Sequence, residues 1–326
     1  MNLELLPASK INRVIQDFHG NLQDPSSNDY LEQAQQLYNW IIRPVDARLQ
    51  EMKIGMLVFV MDGGLRVIPA AAFHDGKQFL AERYASANLP SIRLTRLDPR
   101  DRNNSKILAM GLSQAIQDFS ALPGAEVEIN AVSSKVLTGS SFLNQQFTLD
   151  NLQDQRRKAQ QSNQNYGIIH LATHARFLSD TAGGSFIQFW DRQLRINQIK
   201  GLNLAAPLIE MLTLSAWQTA VGTNLGISGF AVESGARSVL ASLWQVEDTG
   251  TAPLMISFYA GFKDAPSKAI AMQKAQLSLI RGTVRIENGK VIGIPSVSEI
   301  SLPAINPTNL SHPFYWSSFL LVGNWL

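Results

Sequence analysis

Two stretches constrain this chain most: Tyr166-Gly-Ile-Ile-His-Leu-Ala-Thr-His-Ala-Arg-Phe177 and Met211-Leu-Thr-Leu-Ser-Ala-Trp-Gln-Thr-Ala-Val-Gly222. Each is an apolar run without the in-and-out alternation of a half-exposed strand, and each ends in polar residues and a break. A strand that is apolar on both sides has to be covered on both faces. The pair therefore reads as neighbouring parallel strands in the middle of an α/β sheet. Open sheets of this kind gather ligands and chemistry at the carboxyl ends of their strands. His174 and Trp217 stand at those ends.

The rest of the chain supplies layers for such a sheet. Ile11, Val14, Ile15, Phe18 and Leu22 have helical spacing, with Ser9 as the expected N-cap. A second helix carries Leu31, Ala34, Leu37, Tyr38, Ile41, Ile42 and Val45 on one face and is expected to kink or restart at Pro44. Residues 54–61 and 65–69 read as a hairpin across Asp62-Gly63-Gly64, and His74-Asp75-Gly76-Lys77 as a further turn. A strand at 107–112 opens an alternation of strands and helices: a helix through Val127 to Val136, and a polar helix begun by Thr148. Residues 185–195 form an expected exposed hairpin. A buried strand at 238–244 precedes a helix with Asp248 as its cap and Met255, Phe258, Tyr259 and Phe262 on its apolar side. The following helix, 267–281, is expected to bury Ile270, Ala271, Lys274, Leu277 and Ile280; a hairpin spans 284–294, and a buried strand closes the chain at 319–324.

Composition removes several kinds of function. The 326 residues include no cysteine, so disulfides and thiolate metal sites are excluded. Hydrophobic residues make up 45%, charged residues 17%, and the net charge is +2. The basic residues are scattered except for Arg156-Arg157-Lys158, expected on a solvated helix face, so no nucleic-acid partner is expected. No apolar run approaches the length of a membrane span, and the first residues do not form a secretory signal; a cytoplasmic protein is expected, with no membrane partner. His170 and His174 are about 13 Å apart along an extended strand, too far to share a metal ion. Gly226 and Gly229 lack the spacing of a dinucleotide site, and neither a cofactor nor a metal is expected.

Four ordered motifs carry a resemblance: His170-Leu-Ala-Thr-His174, Leu214-Ser-Ala-Trp-Gln-Thr-Ala220, Gly235-Ala-Arg-Ser-Val-Leu-Ala-Ser-Leu-Trp244 and His312-Pro-Phe-Tyr-Trp-Ser-Ser-Phe-Leu-Leu-Val-Gly323. Together they resemble the landmarks of the CHAT domain, a caspase-like domain often found after tetratricopeptide repeats. The resemblance implies a caspase-like three-layer α/β/α sandwich with a mostly parallel central sheet, over residues 29–326, after an N-terminal helical segment at 1–28. It implies that His174 corresponds to the catalytic histidine and that Trp217 holds the position of the catalytic cysteine. An indole has one donor, no acceptor and no accessible anion, so it cannot act as that nucleophile.

The resemblance also makes Ala175, where the family commonly has glycine, the residue of the oxyanion region. Its amide is able to donate, while the close approach that glycine permits is lost. Ser215, Glu247 and Asp248 are candidates for a pocket, the two acids for a basic side chain. Ser215 and Thr219 flank position 217 at strand period but are offset from His174. The resulting expectation is a catalytically inactive CHAT-type pseudopeptidase acting as a protein-binding or regulatory scaffold, with a protein or peptide partner and an upstream repeat domain in a longer protein. The alternatives are an active cysteine peptidase altered at position 217, and an oligomerising structural module. If the indole fills the cleft, Trp217→Cys is expected to lose about 3–5 kcal/mol and regain little proteolysis.

Overall fold

A computed structural model describes residues 7–91, 95, 97–98, 106–176, 184–217, 234–244, 246, 248–303 and 309–326, with the backbone alone at 196, 217, 248 and 249. Its centre is the long strand β5 (Ile168–Arg176), buried along all but its last residue. On one side of it lie β3 (Ile107–Gly111) and the edge strand β4 (Gly139–Leu143). On the other come β8 (Met211–Trp217), β9 (Ser238–Ser242), β13 (Phe319–Gly323), β2 (Ala85–Asn88) and the opposite edge, β1 (Met56–Phe59). From β4 to β9 every pairing is parallel. β13 runs antiparallel to β9, and β2 and β1 are parallel to β13. The architecture is a mostly parallel sheet between helical layers, as the sequence implies, and the carboxyl ends of β3, β5, β8 and β9 share one rim.

The chain moves outward from β3 to β4 through α4 (Pro123–Asn130) and its π-helical continuation Ala131–Val136, then returns past β3 to β5 through α5 (Leu149–Gln161). Right-handed crossovers in opposite directions place these two helices on opposite faces. The π turn also accounts for the weak periodicity of 127–136, because i→i+5 bonding shifts the apolar positions off the 3.6-residue repeat. Thr148 Oγ1 accepts from Asn151 N and caps α5 as expected. Two further helices, α6 (Asp248–Phe262) and α7 (Lys268–Ile280), pack against each other, and α6 packs against α4. A short helix, α8 (Pro313–Trp316), leads into β13.

At the amino end, α1 (Ala8–Asn21) buries Val14, Ile15 and Phe18, and Phe18 meets Phe73 with ring centroids 6.0 Å apart. α2 (Tyr30–Ile41) gives way to α3 (Arg43–Glu51) at Pro44, as expected. Several expectations are corrected. The N-cap of α1 is Pro7 rather than Ser9, which lies inside the helix. No hairpin spans 54–69: β1 pairs in parallel with β2, and Gly63–Val67 is a 3-10 turn capped by Asp62. The hairpin of β6 (Phe186–Gln188) and β7 (Gln193–Arg195) forms, but β6 is buried and extends β5 in antiparallel pairing instead of standing exposed. Arg156 does not face solvent. It is buried and donates to the carbonyls of Leu202, Asn203 and Pro207, while Arg157 stays exposed beside Asp154. The buried face of α7 is Lys268, Ala269, Ala271, Met272, Ala275, Gln276 and Leu279, so Lys274 lies outside it. Residues 285–301 form a small sheet of β10 (Arg285–Glu287), β11 (Lys290–Ile292) and β12 (Ile300–Ser301), one strand more than the expected hairpin.

Candidate functional site

Backbone register brings the two rim residues side by side. β5 and β8 pair residue for residue from Ile168↔Met211 to His174↔Trp217. The expectation that the Trp217 indole fills the cleft concerns a side chain outside the described residues. Glu247 and Thr219 also lie outside them, and Asp248 is described only as the first residue of α6. The acidic-pocket expectation falls there with them. Ala175 is buried in β5 opposite Ile187 of β6, so the strand continues as sheet past the histidine.

His174 is 1% exposed. Its ring stacks on Phe119 with centroids 4.7 Å apart and planes 25° from parallel. Nε2 lies 2.9 Å from the carbonyl oxygen of Ser120. A carbonyl only accepts, so Nε2 carries the proton and Nδ1 is the basic nitrogen. Burial holds the imidazole below its usual pKa, opposed in part by the Ser120 carbonyl. A neutral imidazole of this kind has the protonation state a general base requires.

The Ser215 hydroxyl is turned to a buried carboxylate. Its Oγ donates to Glu128 Oε2 at 3.3 Å, a carboxylate that also accepts from Thr251 Oγ1 at 3.0 Å. The other carboxylate oxygen lies 3.0 Å from His170 Nε2. His170 Nδ1 is 3.1 Å from the Tyr259 hydroxyl, which meets Thr213 Oγ1 at 2.8 Å. Burial pushes the Tyr259 phenol far above its usual pKa, so it stays a neutral hydroxyl. Polar contacts thus run from α4 through β5 and β8 to α6, the His170–Glu128 approach close but not aligned as a hydrogen bond, and the sequence reading did not reach them: Tyr259 reads as one of four apolar positions. Among the described residues no group of three His, Asp or Glu side chains forms a metal cage.

Above these polar contacts is a small crevice of about 20 Å³ between α4, α6 and the rim of β5, β8 and β9, to which Glu128, Ser215 and Thr251 contribute polar groups and Leu122, Trp244 and Val246 apolar ones. Its opening has a local cause. Backbone pairing of β8 with β9 stops at Leu214↔Ala241, and at the next step the Ser242 hydroxyl takes over, accepting from Ala216 N and donating to Ala216 O. Trp244 donates to Phe314 O at 3.1 Å, and the edge of its ring is met by His19 of α1, centroids 5.9 Å apart.

A family model described as the CHAT domain matches residues 31–324. The chain belongs to the CHAT domain family. The wall of this CHAT domain's crevice is therefore buttressed by a helix, α1, that precedes the matched region. No individual curated protein matches the sequence. Two crystal structures of the Saccharomyces cerevisiae separase–securin complex are similar to this chain. One matches with a TM-score of 0.46 and 13% identity over 96% of this chain and 20% of the matched chain. The other has a TM-score of 0.49 and 12% identity over 98% and 22%. The CHAT domain spans about a fifth of those chains.

Proposed function

We propose that this CHAT domain is a catalytically silent pseudopeptidase that works by binding a protein or peptide partner. The observation that carries the reading is the register pair His174↔Trp217 on adjacent parallel strands, in a chain without a single cysteine. In a Cys-His peptidase the base and the thiolate must meet at such a rim. Here the position beside the base is an indole, and Ser215, the hydroxyl two residues before it, is engaged by Glu128. Binding then falls to the crevice and the surface around it, within a longer protein that carries an upstream repeat domain.

The test is incubation of the purified chain with unstructured protein substrates and a peptide library, read by mass spectrometry. No His174-dependent cleavage is expected. Robust cleavage that disappears in His174→Ala overturns the reading. Trp217→Cys is the companion experiment: little proteolysis is expected to return, and strong recovered cleavage would show a peptidase altered at one position.

A further inference from the structure

We infer that an acidic peptide segment of a partner seats in a basic groove on the same rim of the sheet as His174 and Trp217, beyond β9. The inference rests on the reading of this domain as a binder of peptides and names the class it takes. β13 pairs antiparallel with β9, Phe319 opposite Ser242, and β2 and β1 follow β13 in parallel. The amino ends of β13, β2 and β1 therefore line up with the carboxyl ends of β5, β8 and β9. Tyr84, immediately before β2, and Ile54, two residues before β1, stand at those ends and help to line an open groove of about 700 Å³. Three strand spacings, about 14 Å, separate β8 from β2, a gap that an extended peptide crosses in about five residues. The crevice beside Ser215, at about 20 Å³, has room for little more than a water molecule. The groove falls within the size range of ligand sites.

Its walls come from α3, the turn at 74–78 and the segment entering β2. They carry four cations, Arg43, Lys53, Lys77 and Arg83, against two carboxylates, Asp46 and Asp75. Both carboxylates are engaged within the protein. Asp46 accepts from Arg83 Nη2 at 2.6 Å, from Gln50 Nε2 at 3.3 Å and from the Tyr38 hydroxyl at 3.0 Å. Asp75 accepts from the backbone N–H groups of Lys77 and Gln78 and lies 3.6 Å from Arg83 Nη1. Arg83 is thus neutralised in place, and it also donates to the hydroxyls of Tyr38 and Tyr84, each at 2.9 Å.

Arg43, Lys53 and Lys77 are left exposed, and among the described residues none of them lies within ion-pair distance of a carboxylate. The Arg43 guanidinium donates to neutral acceptors, Asn39 Oδ1 and the Asp75 carbonyl. Lys53 adds a second observation. It follows α3 with φ of 52°, in the left-handed region, its own N–H bonded to Gln50 O and that of Ile54 to Leu49 O. Glycine or asparagine fills such a position at least cost. Here the chain keeps a long cation there, on the groove wall. A nucleic acid calls for a broad basic surface along its backbone. These cations are confined to one groove in a chain of net charge +2, which suits a short run of carboxylates.

Fluorescence anisotropy tests this with a labelled Glu-Ser repeat peptide of about a dozen residues, the matching Lys-Ser peptide and an oligothymidylate of equal length. Only the Glu-Ser peptide is expected to bind, and its affinity to fall as salt is raised. Lys53→Gly relieves the left-handed backbone while removing the charge, so affinity is expected to fall about threefold with no loss in thermal midpoint. Lys53→Glu combined with Lys77→Glu is expected to weaken binding about tenfold. Lys135→Glu combined with Lys158→Glu makes the same change in net charge at exposed positions outside the groove, and is expected to leave binding unchanged. No binding of the Glu-Ser peptide, equal binding of the Lys-Ser peptide, tighter binding of the oligonucleotide, or equal losses from the two double variants overturns the proposal. Each of these outcomes leaves the reading of a silent pseudopeptidase standing, since that reading falls to His174-dependent cleavage.

Discussion

Glu128 and His170 are each at most 1% exposed, so neither can exchange its partner for water. Two ions or strongly polar groups taken out of water cost several kcal/mol, which the pair offsets only while both members are present. His170→Leu, which leaves the carboxylate without its imidazole, is expected to destabilise the fold by about 3–5 kcal/mol in urea titration. Glu128→Leu is expected to fall in the same range. The double variant is expected to cost clearly less than the sum, because no buried charge is then left alone. Strictly additive losses would mean that the 3.0 Å contact is incidental. Tyr259→Phe keeps the ring and removes the hydroxyl between His170 and Thr213, for an expected loss of about 1–2 kcal/mol. All four variants are read by stability measurements.

The element that ties together the amino ends of the central strands is the start of α7. Lys268 is fully buried, with Nζ 2.6 Å from Glu210 Oε1, 3.0 Å from Asn324 O and 2.7 Å from Leu326 O. A cation at a helix N-terminus opposes the macrodipole, so the Glu210 carboxylate and the two carbonyls have to hold it there. Glu210 immediately precedes β8 and also lies 3.4 Å from Arg237, which precedes β9. One carboxylate thus gathers α7 and the starts of two central strands. Lys268→Met is expected to cost about 3–5 kcal/mol by chemical denaturation, since Glu210 loses its closest partner in a dry site. This also explains where sequence reading of elements failed. The stripe read from the sequence was set on Ile270, Ala271, Lys274, Leu277 and Ile280, and the face that buries Lys268 and Gln276 is turned from it because those polar side chains give hydropathy no signal of burial. The run at 56–60 is apolar enough to be a strand, yet nothing in it names its partner; the parallel ladder with β2 and the antiparallel hairpin expected from Asp62-Gly63-Gly64 satisfy the same pattern. Helix breaks written by proline, as at Pro44, and the cap written by Thr148 were legible because their signal is local.

For the molecule as a whole, the sheet from β3 to β9 was legible because strands covered on both faces leave unbroken apolar runs, and the pairing of His174 with Trp217 followed from two such runs with their ends aligned. The reversed direction of β13 was not, since an apolar run has no polarity along the chain. Burial of histidine was equally hidden, and it gives the molecule a pH dependence. Four of the five histidines, His19, His74, His174 and His312, are held below their ordinary pKa of 6.5, with burial the largest cause in each. Asp75 and Glu82 oppose the shift at His74, and Asp24 and the Ser27 carbonyl oppose it at His312. A group with a lowered folded pKa binds its proton more readily in the unfolded chain. Its contribution is therefore complete above about 6.5 and is lost as pH falls through that value toward the folded pKa. Asp46, held down chiefly by its hydrogen bond from Arg83, obeys the same sign but in a separate window below the usual carboxylate pKa of about 4. Between about pH 7 and pH 5 the histidines alone should act, and the thermal midpoint is expected to fall by a few degrees across that range. His312→Gln, which retains a donor for Ser27 O, is expected to flatten the slope while lowering the midpoint little. A midpoint that holds constant down to about pH 5 would mean that these imidazoles gain protons in the folded chain as easily as in water.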